Sequence, residues 1–347
     1  MMNAFVKKER KYGASYEKIP IPQPLDGEVL IEIASTAICG TDIHIYAWNA
    51  WAQANIKQVP ITMGHEFVGR VVETGPGCKS LKVNDVVSGE THIPCGQCYQ
   101  CRNGMRHICL NLQLPGIHRD GSFAEYLSYP EMCLVKLPAS IPVECGALME
   151  PLGVGVSAVE NAQVAGGNVV VIGSGPIGLG VICAAQAMGA GTITALDISE
   201  YRLSLAAKCG ADYAINPSET DPNAFIGEKT QGVGADVIFD ASGNSAAIAG
   251  AFKYLRKGGS VHLLGLPSTP TSIDLASDVI FKEATIHGYH GRKMFQTWTR
   301  MINLLESGKI DLGSMISHRM PLSEAGNAFE MLEKGENASK ILLVPER

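Results

Sequence analysis

The pattern of hydrophobic and polar positions changes along this chain near residue 152. Before that point, short β-like runs are separated by segments rich in Pro and Gly. These runs are Glu28–Ile33, Glu66–Glu73, Asp85–Val87 and Phe123–Leu127. Short strands between such turn signals predict a partly open, antiparallel β-rich domain.

From Asn168 onward, strand-like and helical patterns alternate. The strand-like runs are Asn168–Ile172, Thr192–Leu196, Tyr213–Ile215, Asp236–Phe239, Ser260–Leu264 and Thr285–Tyr289. The helical patterns are Ile177–Met188, Tyr201–Cys209, Ala246–Leu255 and Asp278–Lys282, followed by Met294–Ser307, Leu322–Lys334 and a strand-like Ile341–Val344. Six strands with helical crossovers predict a doubly wound parallel sheet, so the fold class is α/β.

No charged residue occurs between Glu160 and Asp197, so this stretch superficially resembles a membrane span. It contains many glycines, however, and divides into a strand pattern, a Gly-rich turn and a helix pattern. A buried β-α-β unit explains it more simply, because the strands of parallel sheets are buried on both faces.

Composition narrows the classes of partner. The chain has 347 residues, which suits about two domains, and a net charge of −6. That charge argues against nucleic acid or an anionic membrane as a partner. The N-terminus turns charged before an apolar signal segment can develop. Ten cysteines in a chain this long favour a reduced, cytoplasmic protein over a small disulfide scaffold.

A Gly-rich turn follows the first strand of the alternating part. Its residues are Gly173, Ser174, Gly175, Pro176, Ile177 and Gly178. The first glycine allows the turn, the second lets the backbone approach a pyrophosphate, and the third lets the helix pack on the strand. The helix N-terminus then supplies N–H groups to the phosphates. We therefore predict a dinucleotide site here, to which we also assign Leu264, Gly265 and Leu266.

Asp197, at the end of the second strand, indicates which dinucleotide binds. It lies nineteen residues after Gly178, where a carboxylate accepts hydrogen bonds from the adenosine ribose hydroxyls and repels a 2′-phosphate. Arg202 could hold such a phosphate, which is the alternative. The sequence favours NAD over NADP.

Two groups of residues have the spacing of metal ligands. Cys95, Cys98, Cys101 and Cys109 form an all-sulfur set with no open position, as a structural zinc requires; two disulfides are the alternative. Cys39 with His65 and Glu66 forms a mixed sulfur, nitrogen and oxygen set, as a catalytic zinc would use. We therefore expect two Zn²⁺ ions per chain.

At these residues the chain resembles the zinc-containing medium-chain alcohol dehydrogenases. The segment Gly64–Gly69 with Gly75 and Cys78 is similar to the zinc signature of that family, and the four-cysteine lobe has the family's spacing. The stretches 36–46, 48–53 and 291–298 resemble the members that oxidise L-threonine. The resemblance implies a GroES-like catalytic domain over residues 1–152 and 291–347, and a Rossmann domain over 153–290.

The resemblance implies that Cys39, His65 and Glu66 hold the catalytic zinc, with Glu150 also in reach. Carboxylates can exchange with water or substrate at the open coordination position of a catalytic zinc. The alternative for Glu66 is a salt-bridged acid at a strand end. For Glu150 it is an ordinary loop acid before a proline.

The family resemblance also implies a proton relay. Thr41 would take the proton of the substrate alcohol and pass it through the nicotinamide ribose to His44 and then to water, while zinc acts as the Lewis acid. His92 matches a histidine near the substrate in the threonine-oxidising members. The alternatives are a surface or capping role for His44 and a structural role for His92.

One departure concerns the substrate. After Glu150-Pro151-Leu152-Gly153 the threonine-oxidising members tend to read Asn-Ala-Val, whereas this chain reads Val154-Gly155-Val156, closer to sorbitol-type dehydrogenases. We expect a small-molecule secondary alcohol as substrate, with L-threonine favoured over polyols and vicinal diols. A non-catalytic NAD-binding protein is the alternative of another class, but it would be expected to lose the catalytic ligands. The family resemblance implies a homotetramer, with a dimer as the alternative.

Overall fold

The computed structural model describes residues 1–335 and 337–346, which divide into two compact units. The first unit comprises residues 1–150, 293–298 and 316–346, and the second comprises 151–292 and 299–315. The division expected from the sequence differs mainly at 299–315, which we had placed with the catalytic domain.

Contacts within the second unit account for that difference. Arg300 pairs with Glu160 at 2.9 Å. The hydroxyl of Ser314 lies 3.7 Å from the sulfur of Cys209. These side-chain contacts are formed between segments far apart in sequence, so the hydrophobic pattern alone did not reveal them.

The secondary structure of the described residues runs as follows. The strands are β1 (Met2–Lys7), β2 (Ser15–Ile19), β3 (Glu28–Ala37), β4 (Ile61–Thr62), β5 (Glu66–Thr74), β6 (Val86–Gly89), β7 (Tyr126–Pro130), β8 (Leu134–Lys136), β9 (Asn168–Ile172), β10 (Thr192–Leu196), β11 (Tyr213–Ile215), β12 (Ala235–Asp240), β13 (Leu255–Leu263), β14 (Thr285–Gly288), β15 (Ile316–Pro321) and β16 (Lys340–Val344). The α-helices are α1 (Gly40–Ala47), α2 (Ala50–Asn55), α3 (Tyr99–Arg102), α4 (Met149–Glu160), α5 (Pro176–Ala187), α6 (Glu200–Lys208), α7 (Pro222–Lys229), α8 (Ser245–Tyr254), α9 (Gln296–Glu306) and α10 (Ala325–Glu333).

The first unit is built on two sheets. A small antiparallel sheet has the order β2-β1-β4, and a larger one has the order β15-β16-β3-β5-β6-β8, with β7 also paired to β3. The pairs of the larger sheet are antiparallel except β15 with β16. Strand β3 is the centre of this sheet because it pairs with β16, β5 and β7. The prediction of a mainly antiparallel β-rich domain is confirmed.

The second unit is a parallel sheet in the order β11-β10-β9-β12-β13-β14. The order reverses direction between β9 and β12, and the crevice at the carboxyl ends of such strands is where dinucleotides bind. Residues Val169–Ile172 of β9 are buried, as their continuous apolar run predicts for a parallel sheet. The doubly wound fold is therefore confirmed.

The charge-free stretch forms β9, α5 and β10. None of the described helices has both the length and the apolar character needed to cross a membrane. The interpretation of this stretch as a buried β-α-β unit is confirmed.

Several elements differ from the sequence pattern. Helix α7 was not predicted, and residues 275–280 form a π-helix where we expected a helix over Asp278–Lys282. The strand expected at Phe123–Leu127 is Tyr126–Pro130. Short strands such as β4 and β8 were missed because two or three residues are too few to show a period.

Candidate active site

Pairing of β3 with β5 assembles the mixed metal-ligand set. The register places Ala37 of β3 opposite Glu66 of β5. Cys39 follows two residues after Ala37, and His65 precedes Glu66, so the three side chains converge. Their ligand atoms all lie within 4.8 Å of one another. A thiolate, an imidazole and a carboxylate this close form a donor set that suits zinc.

Local structure fixes the two ends of this cluster. Gly64 has a φ of 91°, and a Cβ there would lie 2.2 Å from the ring of Phe123, so only glycine fits directly before His65. Cys39 is the N-cap residue of α1, and its N–H donates to Asp42 Oδ2 at 2.9 Å. The helix start and the glycine turn therefore hold the thiol and the imidazole in place.

Asp42 is a functional residue that the sequence reasoning missed. It is fully buried, and its Oδ1 lies 3.5 Å from Nδ1 of His65. Burial alone would lower the pKa of His65, but the neighbouring Asp42 carboxylate and Cys39 thiol raise it well above the ordinary value. A carboxylate facing Nδ1 of a histidine orients the ring and leaves Nε2 for a metal.

Lys340 of β16 was also missed, although it is the nearest cation to Glu66. Its ammonium donates to both oxygens of Glu66, at 2.9 and 2.7 Å, and to the carbonyl of Ile38 at 3.0 Å. Both side chains of the pair are buried, with exposed fractions of 1% and 0%. Burial would lower the pKa of Lys340, but Glu66 raises it above its ordinary value, so the lysine is an ammonium. Glu66 therefore lies in the ligand cluster and is salt-bridged to Lys340, and its assignment as a zinc ligand stays a prediction.

Glu150 lies close to this cluster but outside the group of three. It is the second residue of α4 and is buried. Its charge contributes to raising the pKa of Glu66, after the larger effect of burial. Its assignment as a fourth ligand stays a prediction.

The two residues of the expected proton relay lie three positions apart on α1, so they share one face of the helix. Thr41 is half-buried and His44 is exposed. The side-chain amide of Asn49 lies 2.8 Å from Nδ1 of His44 and donates to it, which leaves the proton of the neutral ring on Nε2. The ring of Trp51 lies 5.9 Å from the His44 ring. These contacts hold the His44 ring while it stays open to water.

His92 lies on the loop after β6, where it is buried. Its neighbour Thr91 donates from its hydroxyl to the carbonyl of His65 at 3.4 Å. Nδ1 of His92 lies 3.6 Å from Oε1 of Glu90, and both side chains are buried. The loop after β6 therefore contacts the main chain of the ligand cluster through Thr91, and the substrate role of His92 stays a prediction.

The four lobe cysteines also converge. Their sulfurs form the second group with ligand atoms within 4.8 Å of one another, and all ten cysteines of the chain are free thiols. Backbone N–H groups lower the pKa of Cys95 to about 6, whereas burial and neighbouring thiols raise that of Cys101 to about 12. Four thiols so close cannot all ionise without a cation between them, so the lobe has the donor set of a structural zinc.

The Gly-rich turn has the shape that a pyrophosphate needs. A Cβ on Gly178 would lie 1.8 Å from the carbonyl oxygen of Gly173, and one on Gly173 would lie 2.8 Å from the amide of Ser242. A Cβ on Gly175 would meet nothing within 4 Å. The outer glycines are therefore required by packing, while open space lies above the middle one. Pro176 is the first residue of α5, and Ile177 follows it.

Asp197 is fixed at this turn by two backbone N–H groups. Ser174 donates to its Oδ2 at 2.7 Å, and Ser199 donates to its Oδ1 at 2.9 Å. Arg202, in the first turn of α6, is half-buried. The carboxylate therefore cannot turn away without losing both hydrogen bonds.

The loop after β13, residues 264–266, was also assigned to the dinucleotide site, and it packs against the loop that follows β12. Leu264 and Gly265 are half-buried and Leu266 is 83% exposed. Asp240, which the sequence reasoning missed, accepts backbone N–H bonds from Leu264 and Gly265 on its carbonyl and one from Gly243 on its carboxylate. Asp240 therefore braces this edge of the dinucleotide crevice.

Comparison with known proteins gives consistent matches. Residues 25–139 match the alcohol dehydrogenase GroES-like domain, and residues 176–307 match the zinc-binding dehydrogenase family. The L-threonine 3-dehydrogenase of Bacillus velezensis is 44% identical over 345 residues, which cover 99% of both chains.

Solved structures show the same architecture. The 2R,3R-butanediol dehydrogenase of Bacillus subtilis superposes with a TM-score of 0.90 at 30% identity, over 100% of both chains. An alcohol dehydrogenase of Escherichia coli CFT073, solved with NADH, superposes with a TM-score of 0.91 at 27% identity, over 99% of both chains.

Proposed function

The chain belongs to the zinc-dependent medium-chain alcohol dehydrogenases, and on this premise we propose that it is an NAD-dependent L-threonine 3-dehydrogenase. It would oxidise the C3 hydroxyl of L-threonine to give 2-amino-3-oxobutanoate, a step of threonine catabolism. The observation that carries the substrate is the buried polar pair Glu90 and His92, on the loop whose Thr91 contacts the main chain of His65.

The proposed catalytic group comprises metal ligands and proton carriers. Cys39, His65 and Glu66, with Glu150 near them, would hold a zinc ion, and the lobe cysteines would hold a second. When bound, the catalytic zinc would polarise the substrate hydroxyl, and NAD would accept the hydride. Thr41 would accept the hydroxyl proton, and His44, which is exposed, would release it to water.

The geometry of Asp197 supports NAD as the cofactor. Its carboxylate is pinned by two backbone N–H groups, so it would face the adenosine ribose and repel a 2′-phosphate. Solved relatives include one with NADH and one with NADP, so the proposal of NAD rests on Asp197.

We expect Asp197→Ser to weaken NAD binding by about tenfold or more and to narrow the preference over NADP. The change removes a charge-assisted hydrogen bond, worth roughly 1.5–3 kcal/mol, and the repulsion of a 2′-phosphate. Steady-state KM values for both cofactors measure this. Asp212→Ser is a matched control, because Asp212 accepts a backbone hydrogen bond from Ile193 at the other end of β10. A wild-type preference for NADP would instead assign cofactor choice to Arg202.

L-Threonine carries an ammonium and a carboxylate beside its hydroxyl, whereas polyols and diols carry only hydroxyls. A site that binds threonine needs charged or polar partners for those groups. Glu90, His92 and Glu150 are the candidates for these partners, and all three are buried. The 44% identity to the Bacillus velezensis L-threonine 3-dehydrogenase supports the same substrate class.

A vicinal-diol or polyol dehydrogenase is the second candidate, favoured by the Val154-Gly155-Val156 sequence and by the butanediol dehydrogenase structure. Packing explains Gly155 without reference to substrate. A Cβ on it would lie 2.6 Å from the backbone of Gly180, so glycine allows α4 to approach α5 closely. The departure at this position therefore carries little weight against threonine.

We expect kcat/KM for L-threonine to exceed that for sorbitol or 2,3-butanediol by on the order of a hundredfold, because sites that hydrogen-bond a substrate group reject analogues lacking it. An NADH-formation assay over these substrates measures it. His92→Ala should lower the value for threonine and leave zinc content and NAD affinity unchanged. Should sorbitol or the butanediol be the better substrate, the second candidate is correct.

Assembly and location are parts of the same proposal. We propose a cytoplasmic homotetramer; ten free thiols suit a reducing compartment. Strand β14 ends its sheet, and large apolar side chains before it are exposed, among them Leu275 at 61%, Ile280 at 67% and Phe281 at 73%. Exposed edges and apolar patches of this kind support association with further copies. Light scattering should give four times the 36.9 kDa chain mass.

A further inference from the structure

A buried tryptophan is hydrogen-bonded to the carboxylate that faces His92. The indole Nε1 of Trp298 donates to Oε2 of Glu90 at 3.0 Å, across 208 residues of sequence. Trp298 is 1% exposed and Glu90 is 0% exposed. Because the bond is shielded from water and its acceptor is a carboxylate, it belongs to the stronger class of hydrogen bonds.

The main chain of Glu90 is also hydrogen-bonded on both sides. Its N–H donates to the carbonyl of Cys133 at 2.7 Å, and its carbonyl accepts from the hydroxyl of Tyr129 at 2.8 Å. With the backbone held by these two bonds, the indole holds one oxygen of the carboxylate, Oε2. The other carboxylate oxygen, Oε1, then lies 3.6 Å from Nδ1 of His92.

We infer that Trp298 is a positioning residue for the substrate site: its indole N–H fixes Glu90, and Glu90 fixes the ring of His92. A carboxylate facing Nδ1 favours the ring form with the proton on that nitrogen and leaves Nε2 for another partner. This inference rests on the proposed function, because His92 is the residue assigned to the polar groups of the substrate.

The test uses substitutions that remove one interaction each. Trp298→Phe keeps an aromatic ring and removes the N–H donor. Glu90→Gln keeps an acceptor for the indole and removes the charge that faces His92. Tyr129→Phe is the matched control, because it removes a buried hydrogen bond to the main chain of the same Glu90 without changing its carboxylate.

We expect Trp298→Phe to raise KM for L-threonine by about tenfold, with less than about a threefold effect on kcat or on kcat/KM for 2,3-butanediol, since one charge-assisted hydrogen bond is lost. In a Glu90→Gln background the same substitution should add less than about twofold, because the two residues act through one path. Tyr129→Phe should lower the thermal midpoint as Trp298→Phe does but change KM for threonine by less than about threefold. If Trp298→Phe and Tyr129→Phe both lowered kcat/KM equally for L-threonine and 2,3-butanediol, the role of Trp298 would be merely structural. That result would overturn the inference.

A spectroscopic measurement separates this inference from the proposed function. In ¹⁵N-histidine-labelled protein, the ring signals of His92 are identified by their loss in His92→Ala. We expect them to show a proton on Nδ1 in the wild type and a changed tautomer in Trp298→Phe and Glu90→Gln. If threonine is not the preferred substrate but the His92 signals change, the proposed function fails and the positioning role stands. Unchanged His92 signals in both folded variants overturn the positioning role whatever the substrate.

Discussion

Replacing Cys39 with alanine should lower kcat/KM by at least about a thousandfold while leaving a folded chain with one tightly bound zinc ion. The thiolate is one of three ligand atoms within 4.8 Å, and the set keeps only an imidazole and a carboxylate without it. Metal polarisation of the reacting oxygen is worth several kcal/mol, and each 1.36 kcal/mol is tenfold in rate. Elemental analysis and NADH formation, measured on the same samples, check both parts.

Wild-type protein should hold about two zinc ions per chain, and a chelator should remove the one at Cys39, His65 and Glu66 first, because a closed four-sulfur site exchanges slowly. Cys133→Ala is the matched control: this cysteine is buried and outside both ligand groups, so metal content and turnover should stay at wild-type levels. One ion or fewer per fully active wild-type chain would contradict the two-site interpretation.

Replacing Lys340 with methionine should lower the free energy of unfolding of the first unit by about 3–5 kcal/mol. The substitution leaves the carboxylate of Glu66 buried without the ammonium that now donates to both of its oxygens, and breaking a buried pair from one side costs about that much. All three tryptophans lie in the first unit, so fluorescence during urea unfolding reports on it.

The surface pair Lys334 and Glu330 provides the control for this prediction. It is an i,i+4 pair at 3.2 Å whose side chains are 60% and 51% exposed, and Lys334→Met should change the unfolding free energy by less than about 0.5 kcal/mol. In the double variant Lys340→Met with Glu66→Gln, much of the lost stability should return, because the unpaired charge is gone. A loss in Lys340→Met no larger than in Lys334→Met would show that Glu66 does not depend on the lysine.

Much of the fold was readable from the sequence because its signals are local. Strands such as β9 and β10 are short apolar runs, and the predicted and observed bounds of β9, β10 and β11 are the same. The prediction was less accurate for the short strands of the first unit and for α7. In these elements few residues show the hydrophobic periodicity of a strand or helix. The placement of 299–315 depended on contacts such as Arg300 with Glu160, which no local pattern contains.

The four-sulfur set and the dinucleotide turn were likewise determined by the sequence itself. The spacing of Cys95, Cys98, Cys101 and Cys109 brings four sulfurs together within one loop, and Gly178 is required by the geometry of a single turn. Such features depend on residues close in sequence, so the chain specifies them before it folds.

The partners of the site residues were decided only by the tertiary structure. Lys340 reaches Glu66 across 274 residues because β16 pairs with β3, and Trp298 reaches Glu90 across 208 residues. Asp42 faces His65 because the pairing of β3 with β5 brings α1 to the start of β5. A lysine, a tryptophan or an aspartate has no sequence spacing that identifies such a role. A charge or hydrogen-bond donor left unpaired in the interior costs free energy, so each of these buried groups needs a partner. Which group can be that partner depends on how the strands pack.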